Sequence, residues 1–367
     1  MMIRNTRFQW IRGATPLATL ATALGLAACS DNPTGPAGES GLDTQAAESN
    51  LTTLDGFFDS SEWRSFEAFG GRVEDSGVRA SFVPELEDIG DGSRTGRELA
   101  TAAAMRLFAA ASQTPLISAG SLGKTFAIDP ETGEYAEDPA RTGAPANGVR
   151  FVLYAPLGED ETPDLEREIG YVDLVDNGAT APGIDLRLTA VAEDVVFLDY
   201  GVALEGDDSA GSVQVDGFLR HEGDRLDFDF AAESSEVAGE TTLSVDATLD
   251  VESRDFHVAL DVDGVGSEDD GALTVELSVA FESHSIAISA SGSDGEIDAT
   301  FRVNGQIFAT ATGNSDDPVI VGADGGQLSL DEIRVLIDII QVSEDILTFF
   351  GELLEPAGDI ILLGLIL

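Results

Sequence analysis

Residues 243–251 read Leu-Ser-Val-Asp-Ala-Thr-Leu-Asp-Val, alternating apolar and polar side chains without a break. Successive side chains of a β-strand point to opposite faces, so this run has one oily face and one wet face. Phe256, Val258, Leu260 and Val262 repeat the pattern against Asp255, His257 and Asp261. Leu273, Val275, Leu277, Val279 and Phe281 repeat it against Thr274, Glu276, Ser278 and Glu282. Earlier copies are Ile184-Leu186-Leu188, Val196-Leu198-Tyr200-Val202-Leu204 and Leu226-Phe228-Phe230. A parallel sheet is covered on both faces and would read as continuous apolar runs, so the stretch from Gly183 to Thr312 predicts an antiparallel ladder. Its short polar connections suit hairpins, not helical crossovers.

The turns agree with the ladder. Asn304-Gly305 is a strong hairpin signal, because a type I′ turn needs positive φ at both central positions. Ser293-Asp294-Gly295 and Glu222-Gly223-Asp224 are weaker versions. A two-residue turn at Asn304-Gly305 pairs Val303 with Gln306 and Phe301 with Phe308. That leaves Ile307, Ala309 and Ala311 on the face of Arg302. Either a bulge shifts the register there, or something covers the second face.

The ladder sits in a chain of 367 residues with 19 basic and 68 acidic side chains, a net charge of −49. Lys124 is its one lysine. Such a chain repels nucleic acid and anionic lipid headgroups, and its acid excess reads first as a solvated surface.

Arg4, Arg7 and Arg12 precede an apolar stretch of small residues, Ala14 to Ala28, too short to span a membrane. The stretch ends in Leu26-Ala27-Ala28-Cys29. This resembles the lipobox of bacterial lipoproteins. The resemblance implies cleavage before Cys29, a diacylglyceryl group on its sulfur and an acylated amine. Residues 1–28 are then a signal peptide outside the fold, and Cys29 is the membrane anchor. Cys29 is the one cysteine, so no disulfide forms within the chain. The resemblance places the protein in the cell envelope, lipid-anchored, on the periplasmic side or the cell surface, with the outer membrane favoured over the inner.

Residues 29–50, rich in Pro, Gly, Ser and Glu, read as a flexible tether. Residues 51–118 read as a helical N-terminal region. Leu54, Phe57, Phe58, Trp63, Phe66 and Phe69 form short apolar faces, and Leu99, Ala103, Leu107 and Ala110 form a stripe. Residues 119–325 make up the sheet region. Thr125–Ile128 and Glu134–Ala136 flank a hairpin loop, Asp129 to Gly133, and strands follow at Val149–Tyr154 and Ile169–Val175. The block Glu134 to Tyr154 resembles segments of uncharacterised exported bacterial proteins, a resemblance that implies no activity. Residues 326–367 comprise a C-terminal helix and an apolar tail. Ser329-Leu330-Asp331-Glu332 is a capping box, and the helix should run to about Leu354 with Ile340 and Leu347 buried.

Motifs for chemistry are sparse. Ser118 to Thr125 looks like a phosphate-binding loop, but the pattern needs glycine where Ser118 stands. His221, His257 and His284 have no metal-ligand spacing. No Gly-x-Ser-x-Gly elbow is present. The acidic stretch of Asp261, Asp263, Glu268, Asp269 and Asp270 does not fit the EF-hand pattern. The expectation is a non-enzyme with no catalytic residues, metal or cofactor.

The fold expected is mainly β: a large curved antiparallel sheet, a meander of hairpins, with N-terminal helices and a long C-terminal helix packed on its apolar face. A transmembrane barrel is the competing architecture, but two Trp and four Tyr cannot supply two aromatic girdles. The function expected is a structural or interaction role in the envelope, with the membrane as partner through Cys29 and no nucleic acid. The alternative is an apolar-ligand or lipid-binding module with a cavity between sheet and helix, by analogy with half-barrel lipid carriers.

Overall fold

The computed structural model describes residues 52, 54, 56–75 and 117–353, apart from 158–161, 179–182, 207–209, 238–239, 267–270, 294–295, 315–318 and, toward the C-terminus, 330–331, 335, 337–338, 340–345, 347 and 352. Cys29, the tether, the stripe from Leu99 to Ala110, Glu268 to Asp270, Ile340, Leu347 and the apolar tail lie outside the described residues.

Strands run β1 (Thr125–Ile128), β2 (Tyr135–Glu137), β3 (Gly148–Leu157), β4 (Thr162–Asp176), β5 (Gly183–Ala192), β6 (Val195–Gly206), β7 (Ala210–His221) and β8 (Asp224–Val237). They continue as β9 (Glu240–Val251), β10 (Phe256–Gly266), β11 (Gly271–Phe281), β12 (His284–Ser293), β13 (Glu296–Val303), β14 (Gln306–Asn314) and β15 (Val319–Gly322). The strand order is sequential from β15 to β3 and then passes to β1 and β2.

This corrects the expected curved, purely antiparallel sheet on two counts. The sheet is mixed, because β1 lies parallel to β3 while pairing antiparallel with β2. The β1–β2 hairpin turns outward, and residues 138–147 carry the chain back past β1 before β3 begins. The sheet is also open and not strongly curled; β2 and β15 end it. Strong curvature is introduced by bulges. The ladders joining β9, β10, β11, β12 and β13 keep one register throughout, without a shift.

The chain divides into two compact units, and β8 contributes to both. In the unit made of residues 231–344 with the N-terminal stretch, alternation works as written. Leu249, Val251, Val258, Leu260, Val275, Leu277, Ile288 and Phe301 are buried on one face. Asn304 and Gly305 adopt φ of 49° and 76°, the type I′ turn. Val303 pairs with Gln306 and Arg302 with Ile307, but Phe301 then pairs with Ala309. Of the two alternatives, the bulge is the one realised. It turns Ala309 and Ala311 to the buried face beside Phe301 and leaves Ile307 46% exposed. The capping box also forms: Ser329 N–H donates to Glu332 Oε2 at 2.8 Å, and Glu332 N–H donates to Ser329 Oγ at 3.3 Å. Ile333, Leu336 and Ile339 follow as a buried stripe at helical spacing.

The unit made of residues 55–230 and 345–367 holds helix α1 (Ser61–Asp75) and strands β1 to β7. Ser60 caps α1, its Oγ accepting from Trp63 N–H at 3.1 Å. Trp63, Phe66 and Phe69 are all buried, at three-residue spacing along one face. Strand β3 is buried on both faces. Phe151 contacts Phe69 of α1, while Val152 and Tyr154 join Ile128 in a small cluster on the other side.

Ile346, Phe349, Phe350 and Leu353 are helical and buried in this unit as well. Tyr200 Oη donates to the Leu353 carbonyl at 2.8 Å. Burial pushes the Tyr200 phenol well above its ordinary pKa. The ring is seated across from Gly217, where a Cβ would come within 2.5 Å of Tyr200 Cβ. Tyr200→Phe keeps the ring and leaves the Leu353 carbonyl buried without this donor. The expected loss is about 1–3 kcal/mol, read as a shifted midpoint in urea. An unchanged midpoint would mean that the hydroxyl contributes nothing to holding this segment.

Candidate functional site

A ligand cavity needs space between the sheet and its covering helices, and in the second unit rings occupy that space. Phe349 lies 4.9 Å from Phe58, 5.0 Å from Trp63, 5.1 Å from Phe228 and 5.3 Å from Phe350, centroid to centroid. Phe350 stacks on Phe230 at 4.6 Å, and Phe66 meets Tyr200 edge-on at 6.1 Å. These separations are those of packed aromatic pairs.

Polar clusters flank β3 in the same unit. Arg150 makes two hydrogen bonds of 2.7 Å to the Asp173 carboxylate, its cross-strand partner, and lies 3.5 Å above the Tyr171 ring. The Asp173 bonds raise the Arg150 pKa and keep the guanidinium charged despite partial burial. Arg141 forks onto Glu168 and also donates to Asp138 at 3.0 Å. Tyr154 is raised by burial, against an opposing backbone hydrogen bond at Ile128. Each cation here is held by carboxylates, an arrangement that fastens loop to strand and strand to strand. The Arg150–Asp173 pair was open to sequence reasoning, as opposite charges in adjacent strands at matching register. Arg141 and Glu168 stand too far apart in sequence for any local signal.

On the wet face of the other unit, acidic side chains stand side by side. Asp261 is in register with Asp246 on one side and Glu276 on the other. Desolvation raises the Asp261 pKa first, followed by the hydrogen bond with Asp246 and the charges of Asp263, Asp246 and Glu276. Like charges directly opposite in a sheet are unfavourable, and this lane is a local cost of the acidic surface. Among the described residues, no group of three His, Cys, Asp or Glu side chains is placed to hold a metal ion.

The three histidines stay apart. His221 meets Phe57 edge-on at 6.3 Å, and His284 stacks on Phe281 at 5.6 Å. His257 Nδ1 lies 2.7 Å from Asp250 Oδ1, its cross-strand neighbour. The loop from Ser118 to Thr125 has its amides turned inward. Ser121 N–H donates to the Ser118 carbonyl, Lys124 N–H to Ser121 and Gly123 N–H to Gly148. Lys124 itself pairs with Glu137. A phosphate cradle requires those amides to point at the ligand, so this loop is a turn feeding β1.

Among the described residues, no helix is long and apolar enough to cross a membrane. No protein-family model, curated protein or solved structure matches the chain.

Proposed function

We propose that the protein is a non-enzymatic lipoprotein of the cell envelope, anchored through Cys29, with a structural or interaction role outside the cytoplasm. The observation that carries this is the segment from Arg4 to Cys29: basic residues, a short apolar stretch of small side chains, then Leu26-Ala27-Ala28-Cys29. A lipid anchor at Cys29 and a tether of about twenty residues let an acidic domain stand off a repelling anionic surface. The ring-filled core of the second unit supports a structural role over a ligand carrier, since a carrier needs open volume where Phe349 and Phe350 sit.

Cys29→Ser is expected to give unprocessed chain that neither incorporates a fatty-acid probe nor requires detergent for release from the membrane. Continued labelling and membrane fractionation of the variant would sink the proposal.

A further inference from the structure

Three Asn-Gly bonds lie among the described residues: Asn147-Gly148, Asn177-Gly178 and Asn304-Gly305. Such bonds are chemically labile, because glycine leaves its amide nitrogen unshielded. That nitrogen can attack the preceding Asn Cγ, forming a new C–N bond as the nitrogen loses its proton and ammonia departs. Water then opens the resulting succinimide at one carbonyl or the other, leaving Asp or iso-Asp. Whether a given bond follows this course depends on the freedom of the glycine amide and the polarisation of the Asn carboxamide.

The three sites differ on both. Gly148 N–H donates to the Pro145 carbonyl at 3.1 Å, and a Cβ there would lie 2.0 Å from the Leu174 carbonyl oxygen, a mark of crowding. Gly178 N–H donates to Asp176 Oδ1 at 2.8 Å. Asn147 and Asn177 each spend their side-chain NH₂ on a partner, the Asp176 carbonyl and Asp185 Oδ1. The second and third sites are alike in exposure, and a Cβ on Gly178 or Gly305 would meet nothing within 4 Å, so what separates them is the hydrogen bond on the Gly178 amide. Gly305 lies between the closing pair Val303 and Gln306, so its amide takes no part in the ladder, and the residue is exposed. Asn304 Oδ1 accepts from Ser285 N–H at 2.9 Å. That bond draws electron density from Cγ and stabilises the oxyanion that attack creates, as an oxyanion-hole donor does.

We infer that Asn304-Gly305 is a built-in site of spontaneous deamidation and the first of the three to react. The two products differ in consequence. The aspartate product tolerates the positive φ of the turn and still accepts from Ser285 N–H. Iso-Asp adds a methylene to the backbone inside a two-residue loop, and the Val303–Gln306 closure and the bulge behind it depend on that loop length.

The test is to hold the folded full-length chain at mildly alkaline pH and follow the mass gain of each Asn-Gly peptide, separating Asp from iso-Asp by fragmentation. Asn304 should convert about tenfold faster than Asn147 or Asn177, the factor that breaking one hydrogen bond to free an amide represents. Conversion at Asn304 no faster than at the other two would overturn the inference. Asp176→Ala gives a second reading. It releases Gly178 N–H, and conversion at Asn177 should rise by a similar factor of about ten. No rise would show that amide hydrogen bonding does not set the order.

Discussion

Phe349→Ala should destabilise the protein by about 3–5 kcal/mol, the range for removing a buried aromatic ring. Phe349 is 1% exposed and touches the rings of Phe58, Trp63, Phe228 and Phe350. Those neighbours belong to the segment before α1, to α1, to β8 and to the helix itself. No one of them can move into the vacated space without giving up its own contacts, so little of the cavity collapses. Urea unfolding of the unlipidated chain measures the loss, with exposed Val195→Ala as the control expected to stay within about 0.5 kcal/mol of the parent. Trp63→Ala in the same background should cost less than it does alone, because the two rings share one packing site. An unchanged midpoint for Phe349→Ala would place this helical segment outside the core and leave Phe228 and Phe230 without a cover.

The second large effect belongs to Phe301, fully buried in the other unit. Its cross-strand partners are Ile288 on β12 and Ala309 on β14. Ala309 and Ala311 are small, so the ring of Phe301 fills the space beside them. Phe301→Ala removes that bulk, and neighbouring methyl groups cannot replace it. A loss of about 3–5 kcal/mol is expected. Hydrogen exchange should also rise across β13 and β14, whose pairing depends on a register shift that buries Ala309 beside Phe301. A cost below about 1 kcal/mol would mean that the bulge, not the ring, anchors these strands.

Among the described residues, the charged groups near β3 are engaged with one another. Arginine side chains at Arg141 and Arg150 are already held by carboxylates. The histidines are spread over β7, β10 and β12, and the loop around Lys124 spends its amides on its own carbonyls. The proposed function rests instead on Cys29 and the segment before it, read from residue types in linear order with no fold required.

Strand identity was legible for the same reason. The two-residue period of a strand is imposed by covalent geometry, so Leu249, Val251, Val258 and Leu260 declare their common face wherever the chain later goes. The Asn304-Gly305 turn and the Ser329–Glu332 capping box are local signals too, the first carried by the positive φ of its own two residues and the second by hydrogen bonds three residues apart. Tertiary structure decided what depends on competition between distant surfaces. The shift after Phe301 was one of two local possibilities, and burial of Ala309 and Ala311 selected it. Turns at Glu193-Asp194 and Glu282 take positive φ without glycine, because the strands they join hold them there. The parallel pairing of β1 with β3, the open sheet and the Tyr200–Leu353 bond each join segments that no periodicity connects. Alternation states which face of a strand is apolar; which neighbour and which register cover that face is settled only when all the apolar faces compete for one another.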